Sequence, residues 1–401
     1  MPPSSPSATC AAAAWPRQLT TSWWWPPKAF PSSSPSPPRT PWSTACSPAW
    51  RQRTRTAAGP PSAAPSSSGK TWTSTSTNCA AQQNDAPRTT NSHPGVPPMN
   101  EPQNRRVAVI GLGAMGGAMA ATLHKAGWDV TGFDPSEAAR KAAEETGINT
   151  TDSLATLTGT PYAVLSLPAA GIVETTVPQL LASPGTVAIV DTTTSEPATS
   201  KHMAELAESH GAAFIDAPVS GGRDGAATGT LSAFVGATDA ALKAAEPVLL
   251  ALTGGNFSHI GGPGSGNVVK LLNNVLAAAN LASVGEALGV AKAYGIDPAT
   301  AAASISGASG GSKVSATMYP NWVLTGSHDS GFSMGLMARD AALAVDVAAQ
   351  IGEKPLLLAA VANQWQDALA VLGPKADFTE IARTVAPAIT PAGAPGTPSA
   401  A

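Results

Sequence analysis

The stretch GSGNVVKLLNN, Gly264 to Asn274, places a lysine and an asparagine in an otherwise apolar run. Val268, Val269, Leu271, Leu272, Val275 and Leu276 predict a buried helix. Lys270 and Asn274 lie four residues apart and so share one face of it. An amine held away from water loses part of its preference for charge and can then exchange a proton close to neutral pH. An amide beside it can orient an oxygen. Spacing alone leaves plainer roles open. The lysine stem can lie along the helix with its ammonium in water, and the amide can bond to another helix's backbone.

GLGAMG, Gly111 to Gly116, has the G-x-G-x-x-G order of a dinucleotide-binding turn. It follows the β-branched run Val107–Ile110 and precedes a helical stretch, Ala118 to Lys125. Asp134 stands about 20 residues on, at the end of the strand-like run Asp129–Phe133. The glycines permit a tight turn and close approach by a diphosphate, whose charge suits the N–H groups at a helix start. Gly111, Leu112, Gly113, Ala114, Met115 and Gly116 are therefore candidate cofactor contacts. Asp134 can accept from the adenosine ribose hydroxyls and would repel a 2′-phosphate, which favours NAD over NADP. Arg140 is the residue that could reverse that preference.

These residues need a frame. Tyr162–Pro168, Thr186–Thr194, Ala212–Gly222 and Thr230–Gly236 read as further strands, with helical stretches between several of them, notably Ser200 to Gly211. The alternation predicts an α/β, doubly wound and mainly parallel sheet of Rossmann type. Ligands of such sheets sit beyond the carboxyl ends of the strands, where Leu167, Pro168, Thr194, Ser220, Gly221 and Gly222 fall. GRDGAATG, Gly222 to Gly229, reads as a glycine-rich loop. After Gly266 the pattern is helical: Asn267–Tyr294, Pro298–Ser306, Leu336–Gln350 and Pro355–Leu372. The expected order is a disordered tail (residues 1–103), a nucleotide-binding domain (104–263), an all-helical domain (264–386) and a second tail (387–401).

Composition narrows the function. The chain has 401 residues and a formal net charge of −3. Its first 98 residues hold eight bases and one acid, which leaves 15 bases against 25 acids in the rest. An acidic body argues against nucleic acid as a partner. Seven of the ten tryptophans also lie in that first stretch, with almost no Val, Ile or Leu, and such a segment cannot bury enough apolar surface to offset its chain entropy. It reads as codons upstream of a start at Met99, ahead of a transit peptide or a Pro-rich binding tail. All three cysteines fall there, so the body needs neither disulfide nor thiolate. No His, Cys or carboxylate cluster has metal-ligand spacing. No apolar run reads as a membrane span and no secretory leader is evident, so a cytoplasmic protein is expected.

Together the motifs resemble the β-hydroxyacid dehydrogenases, the family of 3-hydroxyisobutyrate dehydrogenase, over Arg105 to about Ala386. GLGAMGGAMA is similar to the family's cofactor motif, DAPVSGG (Asp216–Gly222) to its substrate motif, GSGNVVKLLNN to its catalytic motif and GFSMGLMARDAALA (Gly331–Ala344) to a later cofactor-side motif. The resemblance implies NAD(P)-dependent hydride transfer to or from a small β-hydroxy acid. Lys270 would be the acid/base and Asn274 a neighbouring, substrate-orienting asparagine that holds Lys270 or the substrate hydroxyl. Ser220, Gly221 and Gly222 would bind the substrate carboxylate. Thr194, Leu167, Pro168 and Arg339 would sit at the cofactor. Arg339 stands where the family usually has lysine, and the two are not interchangeable. Met318, Trp322, Phe332 and Met334 would either shape the substrate site or pack in the core. The family also implies a homodimer or homotetramer through the helical domain. Three other readings fit less well. An imine-type reductase usually lacks the lysine, a non-catalytic cofactor-binding module would have lost Lys270 or the SGG loop, and a phosphogluconate dehydrogenase needs more late bases than Lys354, Lys375 and Arg383.

Overall fold

The structure, a computed structural model, describes residues 105–391. The expectations for residues 1–103, and for the C-terminal tail beyond residue 391, lie outside them. The chain opens with β1 (Arg106–Ile110), α1 (Ala114–Lys125), β2 (Asp129–Phe133), α2 (Glu137–Glu144), β3 (Asn149–Thr151), β4 (Tyr162–Leu165) and α3 (Ala170–Leu180). It continues with β5 (Ala188–Asp191), α4 (Pro197–Ser209), β6 (Ala213–Asp216), β7 (Val219–Ser220), α5 (Gly222–Thr228), β8 (Ser232–Gly236), α6 (Asp239–Thr253) and β9 (Phe257–Gly261).

The strands form one sheet in the order β3-β2-β1-β4-β5-β6-β8-β7, with β9 paired to β8. The run from β3 to β6 is parallel, whereas β8 runs antiparallel to β6. The chain turns one way from β1 to β2 and the other way to β4. The crevice beyond the carboxyl ends of β1 and β4 is therefore the topological switch point where doubly wound sheets bind ligands. Side chains of β1 alternate as a strand requires. Val107 and Val109 pack with Met119, Leu123 and Val248 on one face of the sheet. Ala108 and Ile110 pack with Leu165, Val177, Met203 and Phe214 on the other.

All the remaining long elements are helical. α7 (Ser265–Ala293), α8 (Pro298–Ser306), α9 (Met334–Gln350), α10 (Leu356–Leu372) and α11 (Ile381–Val385) enclose a second core around Leu281, Tyr319, Trp365, Phe378 and Ile381. Both polar atoms of its large aromatics are satisfied by α7. Tyr319 donates to the Leu281 carbonyl at 2.5 Å and Trp365 Nε1 to the Ala278 carbonyl at 3.3 Å. α7 alone is 29 residues, about 43 Å of helix.

Several sequence expectations need correction. α7 does reach the length and apolarity of a membrane span, with a mean hydropathy of 1.3 over 18 residues, half of them buried inside the protein. One side of its apolar run, with Leu271, Val275, Leu281 and Leu288, faces the cores, whereas Leu272 and Leu276, expected to be buried, are exposed. Gly222–Thr228 is a short helix, not a loop, closed by Gly229 in the left-handed conformation. β3 and β9 were not foreseen, because Asn149–Thr151 and Phe257–Gly261 are too short or too polar to show a period. Val314–Val323, which contains Pro320, is a π-helical stretch with no signature in the sequence. Met334 is wholly buried and belongs to the core, and Phe332 packs edge-on against Phe378. The expected tail boundary at residue 387 falls too early, since Pro387–Ile389 form a 3-10 turn that buries Ile389.

Asp191 ends β5 inside this frame, completely buried. Its carboxylate accepts the Thr193 N–H at 3.0 Å, while Oδ2 has no partner. Burial pushes its pKa up to about 7. The folded chain therefore holds this proton at pH values where the unfolded chain has released it, so folding stability contributed by this group falls as pH rises from about 4 to about 7. Asp191→Asn removes the titration. Denaturant unfolding at a series of pH values should show a flatter profile across that window than the parent chain; an unchanged slope would contradict the assignment.

Candidate active site

The glycine turn leaves β1 and enters α1 at the switch point. Gly111 has φ +92°, and a β-carbon there would fall 2.3 Å from the Ser166 carbonyl oxygen. A β-carbon on Gly116 would fall 1.8 Å from the Gly111 carbonyl oxygen, so the turn closes only without side chains. Gly113 is different. A β-carbon there would meet nothing within 4 Å, and as the N-cap of α1 it offers no side-chain bond to the first N–H groups. Open space before uncapped N–H groups is what a diphosphate requires. The residues present fit a dinucleotide.

Structure separates the six predicted turn residues. Gly113 and Ala114 are exposed and Met115 is half-buried, whereas the Leu112 side chain lies in the core. Leu112 contributes through its backbone, donating its N–H to Asp134 Oδ2 at 2.8 Å. Asp134 Oδ1 accepts the Ser136 N–H at 2.8 Å. The carboxylate thus ties the turn to the end of β2 while keeping lone pairs for a ribose. Arg140 lies beside it and donates to the carbonyls of Asp134 (2.7 Å) and Pro135 (3.2 Å).

Across the switch point, Leu167 is half-buried and donates its N–H to Thr193 Oγ1 at 3.1 Å. Thr193, which carries no local signal, is the bonded threonine; Thr194 beside it forms no side-chain hydrogen bond. Pro168 is exposed, and its carbonyl accepts from Arg339 Nη1 at 2.6 Å.

Lys270 lies in the second turn of α7, with only 8% of its surface exposed. Asn274 is buried too, and of the two contacts expected of it, to Lys270 or to the substrate hydroxyl, its amide does not make the first. Asn274 Nδ2 donates to Asp340 Oδ2 at 2.7 Å, and its Oδ1 accepts from Asn273 at 3.1 Å. Asp340, on α9, is 1% exposed, and its Oδ1 accepts from Arg339 Nε at 3.0 Å and Nη2 at 2.7 Å. One chain of contacts therefore runs from α7 through Asn274, Asp340 and Arg339 to Pro168. Arg339 is not a free surface ion pair. Its planar fork serves Asp340 and the Pro168 carbonyl together, a task suited to guanidinium geometry. Burial lowers the Lys270 pKa from the ordinary lysine value to about 8, with Asp340 opposing the shift. Asp340 was visible in the sequence only as a neighbour of Arg339. Its role depends on packing between two helices, which one-dimensional spacing does not carry.

The DAPVSGG segment divides between two structural tasks. Asp216 ends β6, fully buried, and accepts the Gly264 N–H at 2.7 Å and the Asn267 N–H at 2.9 Å. Burial raises its carboxyl to about 6, with those two N–H groups pulling the other way. Ser220 ends β7, and Gly221 (φ +127°) and Gly222 (φ +63°) turn the exposed backbone into α5. No hydrogen bond joins Ser220, Gly221 or Gly222 to Lys270 or Asn274.

Comparison with known proteins agrees with this arrangement. Residues 106–261 match the model of the NAD-binding domain of 6-phosphogluconate dehydrogenase, and residues 264–385 match the NAD-binding model of NADP-dependent 3-hydroxyisobutyrate dehydrogenase. The chain is 36% identical over 268 residues to 2-(hydroxymethyl)glutarate dehydrogenase of Eubacterium barkeri, covering 65% of this chain and 87% of that protein. It is 35% identical over 254 residues to 3-hydroxyisobutyrate dehydrogenase of Pseudomonas aeruginosa, covering 60% and 84%. The structure of Mycobacterium tuberculosis 3-hydroxyisobutyrate dehydrogenase with L-serine superposes with a TM-score of 0.65 at 31% identity, covering 70% of this chain and 98% of that one. With its glycine turn at the switch point and a buried lysine on the first helix of the helical region, the chain belongs to the β-hydroxyacid dehydrogenases, a family of NAD(P)-dependent oxidoreductases.

Proposed function

We propose that this enzyme oxidises a 2-(hydroxymethyl) carboxylate to the corresponding aldehyde acid, reversibly, with Lys270 as the proton carrier. The observation that supports this most strongly is a buried lysine whose pKa lies near 8, facing a carboxylate that is itself held by an amide and a guanidinium. The relatives narrow the substrate. The substrates named for two of them, 3-hydroxyisobutyrate and 2-(hydroxymethyl)glutarate, both carry a primary alcohol on the carbon next to the carboxyl-bearing one, and so does the L-serine of the superposed structure. Tartronate semialdehyde, taken in the reverse direction, fits the same pattern, whereas a sugar acid such as L-threonate carries a secondary hydroxyl at that carbon and would be a looser fit.

A dinucleotide whose diphosphate is held at the glycine turn would supply the hydride acceptor for the carbinol carbon, and the hydride donor in the reverse direction. The residues of this chain handle the rest. Neutral Lys270 takes the hydroxyl proton as the carbon–oxygen double bond forms, and in reverse the ammonium polarises the carbonyl and gives the proton back. Asp340 keeps the charged form accessible despite burial, and Asn274 holds Asp340 in place. The backbone of Ser220–Gly222, with the Ser220 hydroxyl, receives the substrate carboxylate. Asp134 selects NAD over NADP by repelling a 2′-phosphate.

Self-association completes the proposal. Leu272, Leu276, Val290 and Tyr294 project from one side of α7, with exposures from 40% to 85%, and Leu356, Leu357 and Val371 are exposed on α10. Residues 272 and 290 are five helical turns apart, so the pairs Leu272–Leu276 and Val290–Tyr294 lie on one face, with Ser283 and Ala287 between them. A face this apolar suits a dimer or tetramer contact.

Three outcomes test this reading. Lys270→Ala should lower turnover of 3-hydroxyisobutyrate about 10²- to 10⁴-fold with NAD binding intact. In the parent enzyme, kcat for oxidation should rise with pH through about 8 and kcat for reduction should fall through the same pH, because oxidation needs the neutral amine and reduction the charged one. Equal activity in Lys270→Ala, or profiles with no inflection there, would remove lysine from the mechanism. Second, Asp134→Asn should reduce the NAD-to-NADP ratio of kcat/KM about tenfold, roughly 1.4 kcal/mol of discrimination; an unmoved ratio would assign selection elsewhere. Third, light scattering should find an oligomer that Leu276→Glu with Val290→Glu converts to monomer. A parent chain that is already monomeric would refute the contact.

A further inference from the structure

α7 has an unusual beginning. Its N-cap, Gly264, sits at φ +89° and supplies no side-chain hydrogen bond to the first turn. The missing cap is provided from 48 residues upstream by Asp216, whose two carboxylate oxygens accept from Gly264 and Asn267. A carboxylate at the N-terminus of a 29-residue helix also meets the positive end of its dipole. The carboxylate has no room to move. A β-carbon on Gly236 would fall 2.4 Å from Oδ1, and one on Gly266 2.9 Å from Oδ2.

The same turn is fastened at a second point. Asn267 Oδ1 accepts the Ser195 N–H at 2.9 Å, and its Nδ2 donates to Ser200 Oγ at 3.0 Å and Ser195 Oγ at 3.3 Å. Ser195 follows Thr194 in the loop after β5, while Lys270 lies three residues beyond Asn267 on α7. All the groups in this joint are buried. None of them contacts substrate in the proposed mechanism, and their bonds run between the nucleotide-binding sheet and the helix that carries the lysine.

We infer that Asp216 and Asn267 are positioning residues, which set the register of Lys270 against the cofactor-side loop by clamping the first turn of α7. The inference rests on the reading of Lys270 as proton carrier, but its main test does not. Asp216→Asn keeps the shape and leaves one acceptor oxygen for two N–H donors. Competitive labelling of the lysines with acetic anhydride across pH, read by mass spectrometry, reports the environment of each amine. In Asp216→Asn the titration midpoint of Lys270 should move up by about one unit, toward the ordinary value, as the loosened helix admits water. Lys292, exposed near the far end of α7, should not change. Turnover of 3-hydroxyisobutyrate at saturating NAD should fall about tenfold or more, and Asp216→Asn added to Lys270→Ala should cause no further loss, since the two act as one unit.

Should Asp216→Asn fail to fold, Asn267→Ser carries the same test, because it leaves both bonds of Asp216 in place and removes only the link to Ser195 and Ser200. A folded variant with an unchanged Lys270 midpoint, or losses that multiply with those of Lys270→Ala, would overturn the inference. Retention of turnover by Lys270→Ala would instead refute the proton-carrier reading, and the labelling shift would still decide the role of Asp216.

Discussion

A lysine removed from water is the constraint around which the helical region is organised. Burial opposes its charge, so some neighbouring group has to keep the ammonium accessible. Asp340 is that group, and as a carboxylate buried in its own right it needs donors. Asn274 and Arg339 supply them from two different helices. Arg339 then spends its remaining fork nitrogen on the Pro168 carbonyl. Satisfying one buried charge thus fixes α7 against α9 and α9 against the loop after β4. The polar arrangement at the switch point is a single network, and its members were placed by the need to pair each buried group.

The fold was largely readable from the chain. Val107–Ile110, GLGAMG and Asp134 carried the first βαβ unit, because a buried parallel strand, a glycine turn and an acid at a fixed remove are local features. Pro298–Ser306 and the long α7 were readable for the same reason, as local helical patterns. β9 and the π-helical stretch around Tyr319 were not, since their conformations follow from pairing with β8 and from packing on α7. DAPVSGG was read as one substrate motif. In the fold its aspartate ends β6 and faces α7, while its glycines lie in the exposed turn after β7, a division made by the break between two strands that no residue type announces.

The candidate site shows the same limit. Lys270 and Asn274 were found as an i, i+4 pair, yet the bond between Asn274 and Asp340 was not foreseen, because that partner lies 66 residues on. Thr193 and Asp340, the two buried groups that complete the network, carry no local signal. Conversely Leu112 matched a motif position and turned out to serve through its backbone while its side chain fills the core. Motif membership located the site, and the assignment of tasks within it required the third dimension.

The join between the sheet and the helices has a mechanical consequence. Only three residues separate β9 from α7, and the helix that follows runs unbroken from the edge of the sheet to the middle of the second core. A long flexible linker would let two lobes swing apart about a hinge, whereas here the axle of one lobe is bolted to the other at its first turn. The helical region is thereby made a rigid extension of the nucleotide-binding sheet. If Lys270 carries the proton as proposed, its place relative to Ser195 and the loop after β5 follows from this joint and is laid down as the chain folds.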